Sequence, residues 1–253
     1  MEAGTTMAEG PVRVERSGAV LRVTVDRPEV RNALSRAALA ALGRAFRDHA
    51  EDPELRLCIL SGAGDKSFAA GGDLKELADA RTVEDGRQMA ETGRAALDAV
   101  RRMPVPVIAA LNGDALGGGA ELALACDFRI AAAHARIGFI QGRLAISTGW
   151  GGGSDLARRV GPAPALRLLV HAELLPADEA LRLGLVDAVA GGEETVAQAV
   201  ERFAAPILVQ APQVLRAFKA VVRSGSAEQE QRLFAETWAH PDHWAAVERV
   251  MRR

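Results

Sequence analysis

Three consecutive glycines and then, two residues on, a glutamate, Gly117-Gly118-Gly119-Ala120-Glu121, place backbone N–H groups and a carboxylate within one helical turn. Residues 120–125 continue with strong helix formers, so the glycines read as the first turn of a helix. Without Cβ atoms they let a ligand lie against the backbone. The first-turn N–H groups, at the positive end of the helix dipole, can bind a carboxylate, a phosphate or a developing oxyanion. Glu121 beside them is either a general acid/base group or a charge that complements the dipole. A second small-residue loop, SFAAGGDL at 67–74, can present another bare N–H. Two such loops on adjacent strands would make a paired oxyanion hole.

The elements that must hold these loops are legible around them. Residues 105–111 (VPVIAAL) form an apolar run that ends at Asn112-Gly113, a buried strand followed by a tight turn. Residues 55–60 form a strand leading to the second loop. Upstream, 1–10 reads as a loose tail, 12–15 and 20–26 as a hairpin, and 27–34 as a loop. Ser35 caps a helix whose Leu39, Leu42 and Phe46 keep helical spacing. The pattern at 83–103 suits a long helix over the mouth of the site. Short strands are expected at 128–132 and 136–139, around a surface His134, and at 185–189. Helices are expected at 155–160, closed by Gly161-Pro162, and at 163–170 and 176–183. Gly191-Gly192 marks a boundary. Beyond it 194–204, 212–223, 227–240 and 241–253 are helix-like, interrupted by Pro206, Pro212, Gly225 and Pro241.

Composition excludes several classes. The 253 residues can bury a substantial core, and 31 basic against 33 acidic residues leave no basic field for nucleic acid. Cys58 and Cys126 lie in apolar runs, which suits buried free thiols better than a secreted disulfide scaffold. No apolar run reaches membrane-span length, and 1–10 lacks a signal-peptide layout, so a cytoplasmic protein without membrane or nucleic-acid partners is expected. SGAGDKS at 61–67 resembles part of a phosphate-binding loop, but Asp65 stands where the second glycine is needed, and the stretch reads as a solvated turn. A doubly wound nucleotide fold is disfavoured, because Gly117-Gly118-Gly119 lacks the G-x-G-x-x-G spacing. No internal repeat is visible.

The two loops together resemble the signatures of the crotonase, or enoyl-CoA hydratase/isomerase, superfamily: F-x-A-G-x-D-L and P-V-I-A-A-x-N-G-x-A-x-G-G-G-x-E-L-A, in order and at the usual separation. The likeness runs through nearly the whole chain. It implies an α/β fold, a spiral of repeated ββα units over 11–192, followed by a helical oligomerisation region at 193–253 that builds a homotrimer or homohexamer. It also implies an acyl-CoA thioester as substrate, with no metal and no cofactor beyond coenzyme A as part of that substrate.

Carried over residue by residue, the resemblance assigns the oxyanion hole to Gly72 and Gly118, and the proton carrier to Glu121. It assigns substrate and coenzyme A contacts to Arg31, Ala33, Leu34, Ala70, Gly72, Asp73, Leu74, Gly117, Gly118 and Lys219. A surface lysine is an equal reading of Lys219. Hydratases of the family have a second glutamate where this chain has Gln141, and an amide cannot cycle a proton. Single-base isomerisation of an enoyl thioester therefore fits better than two-glutamate hydration. Trp150, in Gly149-Trp150-Gly151-Gly152, is either a packing anchor or a pocket wall. That stretch also resembles some acyl-CoA decarboxylases of the superfamily, which leaves decarboxylation of a malonyl-type thioester as an alternative. A third reading is a catalytically weak acyl-CoA-binding protein, favoured by the missing glutamate and opposed by the retained glycine loops and Glu121.

Overall fold

The computed structural model describes residues 5–8, 10–76 and 78–252. Strands β2 (Val12–Ser17) and β3 (Val20–Val25) form the expected hairpin, with Gly18 at positive φ in its turn. Strand β1 (Thr5–Ala8) pairs antiparallel with β2. The segment read as a loose tail thus carries an edge strand, because backbone pairing with β2 holds four residues too few to show an alternating pattern. After a 3₁₀ turn at Pro28–Val30 comes helix α1 (Arg36–Asp48), capped by Ser35 Oγ, which accepts from the Ala38 N–H at 3.1 Å.

The chain then repeats one manoeuvre. β4 (Leu57–Gly62) joins a large sheet, β5 (Ser67–Ala69) a small one, and α2 (Val83–Arg101) returns. β6 (Val107–Leu111), β7 (Asp114–Leu116) and α3 (Gly118–Ala125) do the same. So do β8 (Phe128–Ala131), β9 (Arg136–Gly138) and the helix pair α4 (Gly152–Val160) and α5 (Pro162–His171). β10 (Leu175–Pro176), α6 (Ala177–Arg182) and β11 (Ala188–Val189) close the series. The large sheet runs β1-β2-β3-β4-β6-β8-β11 and the small one β10-β9-β7-β5, and β3 to β11 of the large sheet are mutually parallel. This is the ββα spiral of the crotonase fold.

Strand periodicity sorts the core. Cys58, Leu60, Val107, Ala109 and Leu111 face a cluster shared with α1, α2 and α3, while Leu57, Ile59, Ile108, Ala110 and Ile130 face Ala199, Val200 and Ala204 of α7 (Val196–Leu208). Burial pushes the thiol of Cys126 up to about 12 and raises that of Cys58 as well, so both are protonated core side chains. Helices α8 (Pro212–Ser224), α9 (Ala227–Ala239) and α10 (Pro241–Met251) follow. Pro206 does not end α7 but lies inside its last turn. No helix among the described residues is long and apolar enough to cross a membrane.

Candidate active site

The small sheet brings the two glycine loops together. β5 and β7 are parallel neighbours, so the glycines that follow each strand emerge side by side. Gly71 has φ +93°, and a Cβ there would stand 3.1 Å from the Leu116 carbonyl oxygen and 3.2 Å from the Gly118 amide nitrogen; one on Gly119 would overlap the Ala69 carbonyl. Only bare backbone fits at such an approach. Among the described residues, neither the Gly72 nor the Gly118 N–H has a protein acceptor. Gly118 is the first residue of α3, where a helix leaves its amides unpaired.

Two buried asparagines fix the turn between β4 and β5. Asn32 Nδ2 donates to the carbonyls of Ser67 (2.7 Å) and Ala63 (3.0 Å), and Asn112 Nδ2 donates to those of Ser67 (3.1 Å) and Gly64 (2.8 Å). Residues 31–34 run alongside the loop that follows β5. The Ala70 N–H donates to Arg31, that of Leu34 to Gly71, and that of Asp73 to Leu34. Arg27 ties the rim, donating to the Ala33 carbonyl (2.5 Å) and to Asp73 (2.9 Å). That bond holds the Asp73 carboxyl below the usual range. Asp73 is thus occupied in loop geometry.

Glu121 is 2 % exposed. Its Oε1 accepts from Gln141 Nε2 at 2.9 Å, and its Oε2 from the backbone N–H groups of Trp150 (2.9 Å) and Gly152 (2.8 Å). Gly152 opens α4, so the carboxylate rests on the positive end of a second helix. A Cβ on Gly152 would overlap the Glu121 side chain, which accounts for the glycine. With Nε2 engaged, Gln141 leaves Oε1 buried and unpaired; turning the amide over would set two acceptors against each other. Leaving such a group unpaired costs about 1–3 kcal/mol. The amide carbon lies 3.9 Å from where a Cβ of Gly117 would be, so Gln141 flanks the glycine loop.

Trp150 is 6 % exposed, and its ring occupies a slot between Gly93 in the middle of α2 and Gly118, where a Cβ at either position would overlap the indole. It is a packing anchor between the two helices. Arg101, at the end of α2, donates to the Trp150 carbonyl (2.9 Å) and pairs with Asp155 (2.6 Å) and Asp98 (2.7 Å). At the far end of α3, buried Arg129 donates to the carbonyls of Cys126 (2.9 Å) and Leu185 (2.7 Å) and pairs with Asp187 at 3.0 Å.

The structure therefore gathers Ala33, Leu34, Ala70, Gly72, Asp73, Gly117, Gly118, Glu121, Gln141 and Trp150 in one place. Arg31 and Leu74 lie exposed at its rim. Lys219 does not join them. Its side chain is 7 % exposed, and its ammonium is bonded to the Val105 carbonyl (3.0 Å) and Asp127 (2.5 Å), beyond the opposite end of α3 from Gly118. Within this chain Lys219 is thus held in an ion pair, at the edge of a cleft that it shares with Arg102, Arg216 and Arg223. His134 is exposed, as expected, and its Nε2 meets the Asp65 carbonyl. Sequence reasoning missed Gly93, Arg101, Asn32, Gly152 and Arg129, whose partners are distant in the chain; only Asn112, beside a glycine, carried a turn signal.

A two-sheet ββα spiral with paired glycine loops and a buried carboxylate at their junction is the crotonase type of thioester enzyme fold. The chain belongs to the enoyl-CoA hydratase/isomerase family, whose sequence model matches residues 15–244. It is 38 % identical over 219 residues to a crotonyl-CoA hydratase of Syntrophomonas wolfei, covering 87 % of this chain and 84 % of that one. It is 37 % identical over 213 residues to a carnitinyl-CoA dehydratase of Salmonella arizonae, covering 84 % and 80 %. The crystal structure of an enoyl-CoA hydratase from Bacillus anthracis superposes with a TM-score of 0.91 at 32 % identity, covering 96 % of each chain.

Proposed function

We propose that this enzyme holds the carbonyl oxygen of an acyl-CoA thioester on the amides of Gly72 and Gly118 and moves one proton with Glu121. The observation that carries the reading is the direct 2.9 Å bond from Gln141 Nε2 to Glu121 Oε1, which leaves one proton carrier where two carboxylates would share a water. In isomerisation of an enoyl thioester with a β,γ double bond, Glu121 takes a proton from the α-carbon and the electrons pass into the carbonyl. The two amides meet the charge on its oxygen. The carboxyl then returns the proton to the γ-carbon, and the double bond ends between the α- and β-carbons. Hydration, the reaction for which relatives are named, would need Glu121 alone to take a proton from water and deliver one to carbon, and is expected to be slow.

Coenzyme A enters along residues 31–34 and 70–74. A cleft of about 530 Å³ beside Leu116 is lined by Arg31, Lys66, His134 and Arg136 and also by Asp65 and Asp114; Arg136 is paired with Asp114, so Arg31 and Lys66 are the charges it offers to the phosphates. Decarboxylation of a malonyl-type thioester is the second reading. The buried indole against Gly118 favours it, because an apolar wall there destabilises the carboxylate that is lost while the same amides hold the enolate. Exposed Phe218, Val222, Phe234 and Trp238 on α8 and α9 support assembly into a trimer or hexamer, which sedimentation at micromolar concentration would detect and a stable monomer would refute.

The test is mass spectrometry in deuterated water with β,γ-enoyl, α,β-enoyl and malonyl-type thioesters. Migration of the double bond with label uptake supports isomerisation. Loss of carbon dioxide selects the second reading, and binding without conversion refutes an enzyme.

A further inference from the structure

The ring of Trp150 is more tightly specified than packing alone requires. Gly93 stands in the middle of a 19-residue helix, where glycine is unfavourable relative to alanine, and the space its missing side chain leaves is filled by the indole. Gly118 is bare on the same account from the other side. The backbone of Trp150 is held as well, its N–H on Glu121 and its carbonyl on Arg101. The ring is thereby locked to both the residue proposed to receive the thioester oxygen and the one proposed to move the proton. An acyl group whose carbonyl sits at Gly118 and whose α-carbon faces Glu121 would extend beside the indole.

We propose that Trp150, seated between Gly93 and Gly118, sets the length of the acyl group this enzyme accepts and confines the site to short-chain thioesters. The proposal rests on the reading that Gly118 holds the thioester. Removing the ring frees the volume of nine non-hydrogen atoms, room for several methylenes. Each methylene that gains apolar cover is worth roughly fourfold in affinity.

Calorimetric titration with saturated acyl-CoAs from acetyl to decanoyl, which cannot isomerise or lose carbon dioxide, reads binding apart from turnover. The wild type should bind butyryl-CoA more tightly than octanoyl-CoA by about tenfold or more. Trp150→Ala should raise octanoyl-CoA affinity relative to butyryl-CoA by at least about tenfold, and Trp150→Phe should fall between. If Trp150→Ala does not fold, Trp150→Phe carries the comparison through the same ratio. An unchanged octanoyl-to-butyryl ratio in folded variants that bind butyryl-CoA overturns the proposal while leaving the thioester reading intact. So does a wild type that binds decanoyl-CoA as tightly as butyryl-CoA. Failure of every acyl-CoA to bind the wild type overturns the thioester reading and this proposal with it.

Discussion

Gln141 and Glu121, twenty residues apart in sequence, are joined by a single bond of 2.9 Å in which the amide is the donor. The contact fixes the Gln141 amide on Glu121 with its Oε1 left unpaired, and Glu121 is the one carboxylate of the pair. Glu121→Gln should lower deuterium exchange at the α-carbon of an acyl-CoA by about two to four decades. Gln141→Ala should cost less, since it removes orientation and not the proton carrier. Gln141→Glu would set two buried carboxylates within hydrogen-bonding distance, so one should keep its proton near neutral pH and the exchange rate should acquire a new pH dependence. Equal losses from Glu121→Gln and Gln141→Ala would contradict a single base.

A Cβ at Gly118 meets the Trp150 ring before it meets any ligand. Gly118→Ala should therefore weaken acyl-CoA binding mainly by displacing the indole, and the loss should be partly recovered in the double variant with Trp150→Ala. A double-mutant cycle should show coupling above about 1 kcal/mol. Additive losses would place the clash with the substrate.

Arg27 and Asp73 give the rim of the site a pH response. The Asp73 pKa is lower folded than unfolded, where it is about 3.9, so the bridge stabilises fully above that value and is lost as pH falls through the folded one. Thermal midpoints of the wild type should drop on acidification below about pH 4, and Asp73→Asn should show a shallower drop. Parallel curves would remove this pair from the acid response.

Arg129 is 2 % exposed and supports the end of α3 remote from the glycines. Burial lowers its pKa from the usual guanidinium value, and Asp187 opposes that shift. Arg129→Met would strand the Asp187 carboxylate and the carbonyls of Cys126 and Leu185, and should cost about 3–5 kcal/mol in denaturant unfolding. A loss under about 1 kcal/mol would show that water replaces the guanidinium.

The hairpin of β2 and β3, the capped start of α1, and the glycine turn that opens α3 with Glu121 one turn in were all present in the sequence, because each is decided within a few residues by alternation, capping or a missing Cβ. The spiral itself left no visible repeat, since it is built by strands alternating between two sheets and needs apolar residues, not the same ones. β1 went unread because four paired residues carry no period. The fate of each long side chain was likewise a tertiary matter. Arg101 meets the Trp150 carbonyl, 49 positions on, only because α2 stacks where it does, and Lys219, read equally as a phosphate contact or a surface lysine, is set by the fold against Asp127, 92 positions away. A charge's partner, and whether a glycine frees space for a ligand or for an indole, depend on which elements the sheets bring together, and no local pattern encodes that distance.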